Sequence, residues 1–370
     1  MRLAIVRRRF ASAGGAERFI ANTSQGLAAA GIDVTLVSED VGTTAAPDQA
    51  WLRLKRAHGG RARRYRKFQK AAGRALRGGG FDLVQSHERI LEADIFRAGD
   101  GVHAAWLERL ARERAAWRRP LLALDAFHEL LTKTERRMAR DTDMVFVANS
   151  RMVAREIADW LAVPAHRLRV IENGVDLAHF RPPEAGGKAA ARAALGLDPE
   201  APLVAFVGSG FERKGAFALV EALALPALAG VHLAIAGRDK RARRLARLVR
   251  RRGLGGRVRL LGAMADVRPV LHAADMLALP TLYDPMPNAA IEAIACGLPV
   301  VTTADAGVGE LVVRYGAGAV ASRAADDLAA ALAAVLASLA DRRVGAAALR
   351  GRFDLGRTTR LWLDLYRELA

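Results

Sequence analysis

Short runs of consecutive apolar residues alternate along the whole chain with stretches in which apolar positions recur every three or four residues. Leu3–Val6, Val34–Val37, Leu83–Gln85, Met144–Ala148 and Leu168–Ile171 read as one set of buried strands. Leu203–Val207, Val231–Ala236, Val258–Leu261, Met276–Leu279 and Pro299–Thr302 read as a second set. The stretch Arg18–Ala30 has the period of a crossover helix and is closed by Gly31, and Asn149-Ser150 supplies an N-cap for a helix from Met152 to Leu161. Strands apolar on both faces, alternating with helices, imply parallel sheets covered on both sides, an α/β fold. Between the two sets lies Phe180-Arg181-Pro182-Pro183-Glu184-Ala185-Gly186-Gly187, a linker punctuated by prolines and glycines. A last helix, Leu355–Leu369, lies beyond the second set. Two doubly wound units facing each other would place ligands at the carboxyl ends of their strands, in a deep cleft between them.

Composition narrows the picture. A chain of 370 residues suits two domains, and 52% hydrophobic content fills two cores and excludes a disordered chain. Met1–Val6 is too short for a signal-peptide core, with Arg7-Arg8-Arg9 following where charge should precede. No run approaches the roughly 18–20 apolar residues of a membrane span. A cytoplasmic protein is expected, with peripheral docking at the inner face of the cytoplasmic membrane. The single cysteine, Cys296, excludes an intrachain disulfide, gives no support to a cysteine-based metal site, and reads as a packed thiol. The net charge of +18 attracts polyanions, or else decorates a solvated surface with arginine. It is concentrated in Arg53–Arg77, which holds eleven cations and no acidic residue. This stretch, and the mixed apolar and basic Trp106–Arg140, are expected to meet an anionic membrane surface or an acceptor, or to be solvated helices covering the sheet.

Four stretches carry candidate chemistry. In Pro280–Pro299, a strand runs into a proline-bearing loop, Asn288 caps a helix, and Gly297 ends it. Such a helix start offers free amides to a diphosphate, making Met286, Pro287 and Asn288 donor-binding candidates. Asp284 and Glu292, eight positions apart, can face one ligand from two directions. The second stretch, Gly208-Ser209-Gly210-Phe211-Glu212-Arg213-Lys214-Gly215, joins glycines that let backbone approach a ligand to two adjacent cations. Its spacing is neither that of a Walker A loop nor that of a dinucleotide fingerprint. The third is the strand-to-helix turn at Gly14-Gly15. The fourth joins Gln85-Ser86-His87-Glu88 to Gly99-Asp100-Gly101-Val102-His103.

The segment from Asp284 to Glu292 resembles the acidic-x7-Glu signature of GT-4 glycosyltransferases, and the resemblance extends over nearly the whole chain. It implies the GT-B fold, with an acceptor-binding domain at 1–180, a nucleotide-sugar-binding domain at 181–352, and a helix at 353–370 packing back on the first. The branch most similar is that of the lipopolysaccharide-core glucosyltransferases. The resemblance implies that Glu292 holds the ribose, Asp284 the transferred sugar, and Arg213 and Lys214 the phosphates. Gly14, Gly15 and Gly208 are then backbone contacts of the donor, Asp100 an acceptor-site or base-like residue, and His87 and His103 acceptor-side candidates. Asp284 departs from the family, which usually has Glu there, and Arg213 and Lys214 are adjacent where many relatives space them apart.

The same resemblance implies a retaining, metal-independent transfer of a hexose, glucose first and mannose or N-acetylglucosamine as alternatives, with no cofactor. The partners implied are a nucleotide-diphosphate sugar and a glycan or glycolipid acceptor, with lipopolysaccharide core favoured. A nucleotide-sugar epimerase or phosphorylase is the rival enzyme. A nucleic-acid-binding protein is the rival of another class, but the basic stretch has only Tyr65 and Phe68 interleaved and no zinc or helix-turn-helix pattern, so no nucleic acid is expected.

Overall fold

The structure is a computed structural model and describes residues 1–9, 26–40, 50–114 and 124–370. The chain divides into two compact units, Met1–Gly174 with Leu355–Ala370, and Val175–Asp354. The first boundary thus falls at 174/175 where 180/181 was expected, because Phe180 is buried in the second unit's core and Val175 N–H donates to Phe353 O (2.8 Å). The return falls at 354/355 where 352/353 was expected.

The first unit is built on a parallel sheet of β1 (Arg2–Val6), β2 (Asp33–Ser38), β3 (Ala50–Arg53), β4 (Leu83–Ser86), β5 (Ile95–Ala98), β6 (Val145–Ala148) and β7 (Leu168–Val170), in the order β3-β2-β1-β4-β5-β6-β7. The strands β3 and β5 are additions to the sequence reading. One face is covered by the helices Arg61–Gly78 and Ala126–Asp141, through Tyr65, Phe68, Ala72 and Leu131. The opposite face packs Leu3, Ile5, Ile95 and Val147 against Trp362, Leu365 and Tyr366 of the helix Leu355–Leu369. Ser150 caps the helix Arg151–Leu161, its Oγ accepting from Val153 N–H (3.2 Å). The expected helix Arg18–Ala30 lies largely outside the described residues.

The second unit repeats the plan with β8 (Leu203–Val207), β9 (His232–Ala236), β10 (Val258–Gly262), β11 (Met276–Leu279), β12 (Val300–Thr302) and β13 (Gly318–Val320), in the order β10-β9-β8-β11-β12-β13. The strands β8, β11 and β12 are buried throughout, as parallel strands between two helical layers must be. Asp275, buried ahead of β11, binds Lys188 (2.5 Å), Arg192 (2.9 Å) and the N–H of Leu203 (2.9 Å), so the helix Gly187–Ala194 is fastened by charge to the amino ends of the central strands β8 and β11. In both sheets the strand order reverses once, between β1 and β4 and between β8 and β11, which opens a crevice at the carboxyl ends of those pairs.

Candidate functional site

In the second unit the residues singled out in the sequence meet at the carboxyl ends of β8 and β11. Glycines let the strand ends approach. Gly215 has φ +90°, and a methyl group there would lie 2.1 Å from Pro280 O; at Gly237, φ +151°, it would lie 2.1 Å from Gly208 O. The short helix Phe211–Lys214 is pinned to the loop after β11. Leu282 N–H donates to Arg213 O (2.7 Å), and Arg213 Nη1 donates to Tyr283 O (2.8 Å).

That pinning brings the charges together. Asp284 Oδ2 is 3.2 Å from Lys214 Nζ and 3.6 Å from Arg213 Nη1. Asp284 and Lys214 are largely buried, whereas the Arg213 side chain is 41% exposed, so its guanidinium is open to an anion from solvent. The loop after β12, not singled out in the sequence, fixes Asp284 from the other side. Asp284 N–H donates to Asp305 O (3.0 Å), and Gly307 N–H donates to Asp284 O (2.9 Å). Thr303 Oγ1 donates to Thr281 O (2.7 Å) and holds that loop down.

The helix after this loop spans Asn288–Ala295, with Pro287 in the N-cap position and no side-chain cap. The expectation that Asn288 caps it is therefore corrected: Pro287, extended at φ −69° and ψ 112°, precedes the first turn, and Asn288 is already helical. Gly297, at φ +81°, ends the helix. Glu292 is 4% exposed, which rules out a solvated surface position, and Met286 and Pro287 are buried beside it in sequence. Burial and the nearby Glu292 carboxylate push the Cys296 thiol up to about 12, leaving it an inert packing group.

In the first unit, Gly14 and Gly15 lie outside the described residues. His87 follows β4, is 5% exposed, and its Nε2 lies 2.9 Å from Gln85 Nε2. Burial, with Arg97 and Arg7 nearby, holds its imidazole well below the ordinary histidine range. His103 opens the helix His103–Arg112. Its N–H donates to both oxygens of Glu135 (3.0 Å each), and its Nε2 lies 3.0 Å from His128 Nδ1. Burial, then Arg89 and His128, lower His103 to about 3, so the pair is neutral. Asp100 is exposed in the turn after β5. Sequence reasoning missed the buried pair Arg89–Glu135 (2.7 Å), which anchors the start of that helix as Arg89 Nη2 donates to Gly101 O (3.1 Å). It also missed Arg97, whose Nη2 donates to Asn173 Oδ1 (2.6 Å). No group of three or more metal-ligating side chains occurs among the described residues.

Residues 187–348 match the family model described as glycosyl transferases group 1, and residues 13–179 match glycosyltransferase family 4. The chain belongs to these glycosyltransferases. Similar curated relatives of this glycosyltransferase include the D-inositol 3-phosphate glycosyltransferase of Mycobacterium marinum, 33% identical over 70% of this chain and 56% of the relative. Another is the lipopolysaccharide core biosynthesis glycosyltransferase LpsE of Rhizobium meliloti, 34% identical over 45% of this chain and 46% of that one. The chain spans about half the length of the curated relatives it matches, between 37% and 56% in the first three. Among solved structures it superposes on WaaG, a glycosyltransferase involved in lipopolysaccharide biosynthesis, with TM-score 0.83 and 21% identity, over 98% of this chain and 99% of that one. It also superposes on Anabaena Alr3699/HepE, solved in complex with UDP-glucose, with TM-score 0.76 and 17% identity over the whole of both chains. These likenesses show the fold of this glycosyltransferase to be GT-B.

Proposed function

We propose that the protein is a retaining hexosyltransferase that takes a sugar from a nucleotide-diphosphate donor held by the second unit and passes it to a glycan or glycolipid acceptor. The single observation that carries this is the meeting of Lys214, Arg213 and Asp284 at the carboxyl ends of β8 and β11. A carboxylate that is held by two cations has the chemistry of a group that exchanges partners when a diphosphate arrives. The cations turn to the phosphates, and Asp284 is released to accept from sugar hydroxyls. Arg213 and Lys214 then stabilise the departing diphosphate, with the start of the helix Asn288–Ala295 beside them. Glu292 takes the ribose hydroxyls, and Gly208 gives backbone close to the phosphates. Asp100 and His87 stand at strand ends of the acceptor-binding unit. The acceptor hydroxyl enters on the face from which the diphosphate leaves, and neither metal nor cofactor takes part. UDP-glucose is the first choice of donor, by likeness to the HepE complex, with a lipopolysaccharide-core acceptor by likeness to LpsE.

The test is Lys214→Ala, with the donor first chosen by thermal shift among UDP-glucose, GDP-mannose and UDP-N-acetylglucosamine. Turnover at saturating donor is expected to fall about 100-fold or more, the scale for loss of one preorganised charge. Near-normal turnover overturns the assignment.

The acceptor is read as membrane-borne. No described helix is long and apolar enough to cross a membrane. The helix Arg61–Gly78 instead faces a groove of about 670 Å³, where Arg63, Arg66, Lys67 and Lys70 stand over Ile90 and Leu130. Spacings of three, four and seven residues put these cations on one helical face. Co-sedimentation with vesicles containing phosphatidylglycerol, weakened by salt and by Arg66→Gln with Lys70→Gln, is the expected result; equal binding to neutral vesicles counts against it.

A further inference from the structure

The sheet face covered by the helix Leu355–Leu369 ends in polar residues that the proposed chemistry leaves unexplained. Val6 pairs with Ser86 and Ser86 with Phe96, so the residues that come next, Arg7, His87 and Arg97, stand abreast at the carboxyl edge of β1, β4 and β5. Side chains alternate along a strand, so Gln85 shares a face with His87. Tyr366 reaches this face from the helix, its hydroxyl 2.6 Å from Gln85 Oε1, while Gln85 Nε2 lies 2.9 Å from His87 Nε2. All three side chains are at most 5% exposed, so water does not compete for these bonds.

The direction of the chain of bonds is set by what each atom can do. A carboxamide oxygen only accepts and its nitrogen only donates, whereas a phenol does both. The structure places Gln85 Oε1 toward Tyr366 and Nε2 toward His87, and in that orientation Tyr366 donates to Oε1 while the amide N–H donates to His87 Nε2. A ring nitrogen that accepts a hydrogen bond carries no proton, so the neutral imidazole holds its proton on Nδ1.

We propose that Tyr366 is a positioning residue for sugar transfer, locking His87 through Gln85 as the Nδ1–H tautomer, an acceptor at Nε2 and a donor at Nδ1. This rests on the reading of the first unit as the acceptor-binding half. The ring cannot readily leave this state by taking a second proton, because it is buried between Arg7 and Arg97. A helix at the far end of the sequence thereby sets the hydrogen-bonding polarity of a side chain at the sheet's switch point.

The experiment is ring nitrogen NMR of the full chain labelled with 15N-histidine, with His87→Gln identifying the His87 signals. The expected spectrum shows a neutral ring with a protonated Nδ1 and an unprotonated Nε2. Tyr366→Phe frees the amide to flip and moves the ring toward the Nε2–H form. Gln85→Glu offers His87 only acceptors and requires a proton on Nε2. With UDP-glucose and a lipopolysaccharide-core acceptor, Tyr366→Phe is expected to lower kcat about three- to tenfold, the worth of one buried hydrogen bond, with KM for donor unchanged. A wild-type ring protonated at Nε2 overturns the proposal without any variant being needed, and so does an unaltered His87 tautomer in folded Tyr366→Phe. If no variant and no wild-type protein turns over any donor, the transferase reading fails while the spectrum still decides the tautomer.

Discussion

At residue 215 a methyl group has nowhere to go. The backbone is left-handed there, and Pro280 O occupies the space a Cβ would need. Gly215→Ala is expected to cost about 2–4 kcal/mol, combining the φ penalty with a clash against backbone that cannot step aside. The same shift would pull Lys214 away from Asp284. Urea titration measures the first effect, and a loss under 0.5 kcal/mol on the order of an ordinary surface change contradicts it. The site was unevenly legible at this scale. The apolar strand and the proline and glycine stops around residues 276–299 announced themselves, and so did adjacent cations after glycines. The grip of Asp305 and Gly307 on Asp284 did not, because a loop-to-loop backbone contact leaves no periodicity. Arg89 and Glu135 are separated by 46 positions and look, in sequence, like ordinary surface charges.

Among elements, the strands found early include those buried on both sides, such as β8 and β11, and also the half-exposed edge strands β7 and β10. β3 escaped because it is a four-residue edge strand whose apolar run, Ala50-Trp51-Leu52, is too short to carry a pattern before the cations that follow. β5 escaped because Arg97 breaks the run Ile95–Ala98, and a buried arginine reads as a surface residue until its partners are known. β13, three residues beginning with Gly318, is too short to carry a pattern. The histidines give this scale a prediction, since they tie the helices His103–Arg112 and Ala126–Asp141 to each other. His103 is lowered to about 3, and His87 and His128 are also lowered. The unfolded chain takes protons near pH 6.5 that the folded chain refuses, so their contribution is complete above that pH and declines as pH falls through it. Stability measured by urea at pH 7 and pH 5 should fall. His103→Gln should flatten the dependence, and a flat wild-type profile would show that the pair is not held neutral.

For the whole molecule, the division into two units was legible from the restarting alternation of strands and helices, while the limits moved to 174/175 and 354/355. The prolines and glycines that marked the linker stand just past the first limit, because the chain has already joined the second core at Val175. The positive charge acts at this scale as a field and not as a set of pairs, so its effects are those that salt removes.

The first unit is discontinuous, and that sets an order in time. Trp362 and Tyr366, fully enclosed against β1 and β5, are made after the entire second unit. During synthesis the second unit has all its residues while one side of the earlier sheet still lacks part of its cover, so the part translated first is the part completed last.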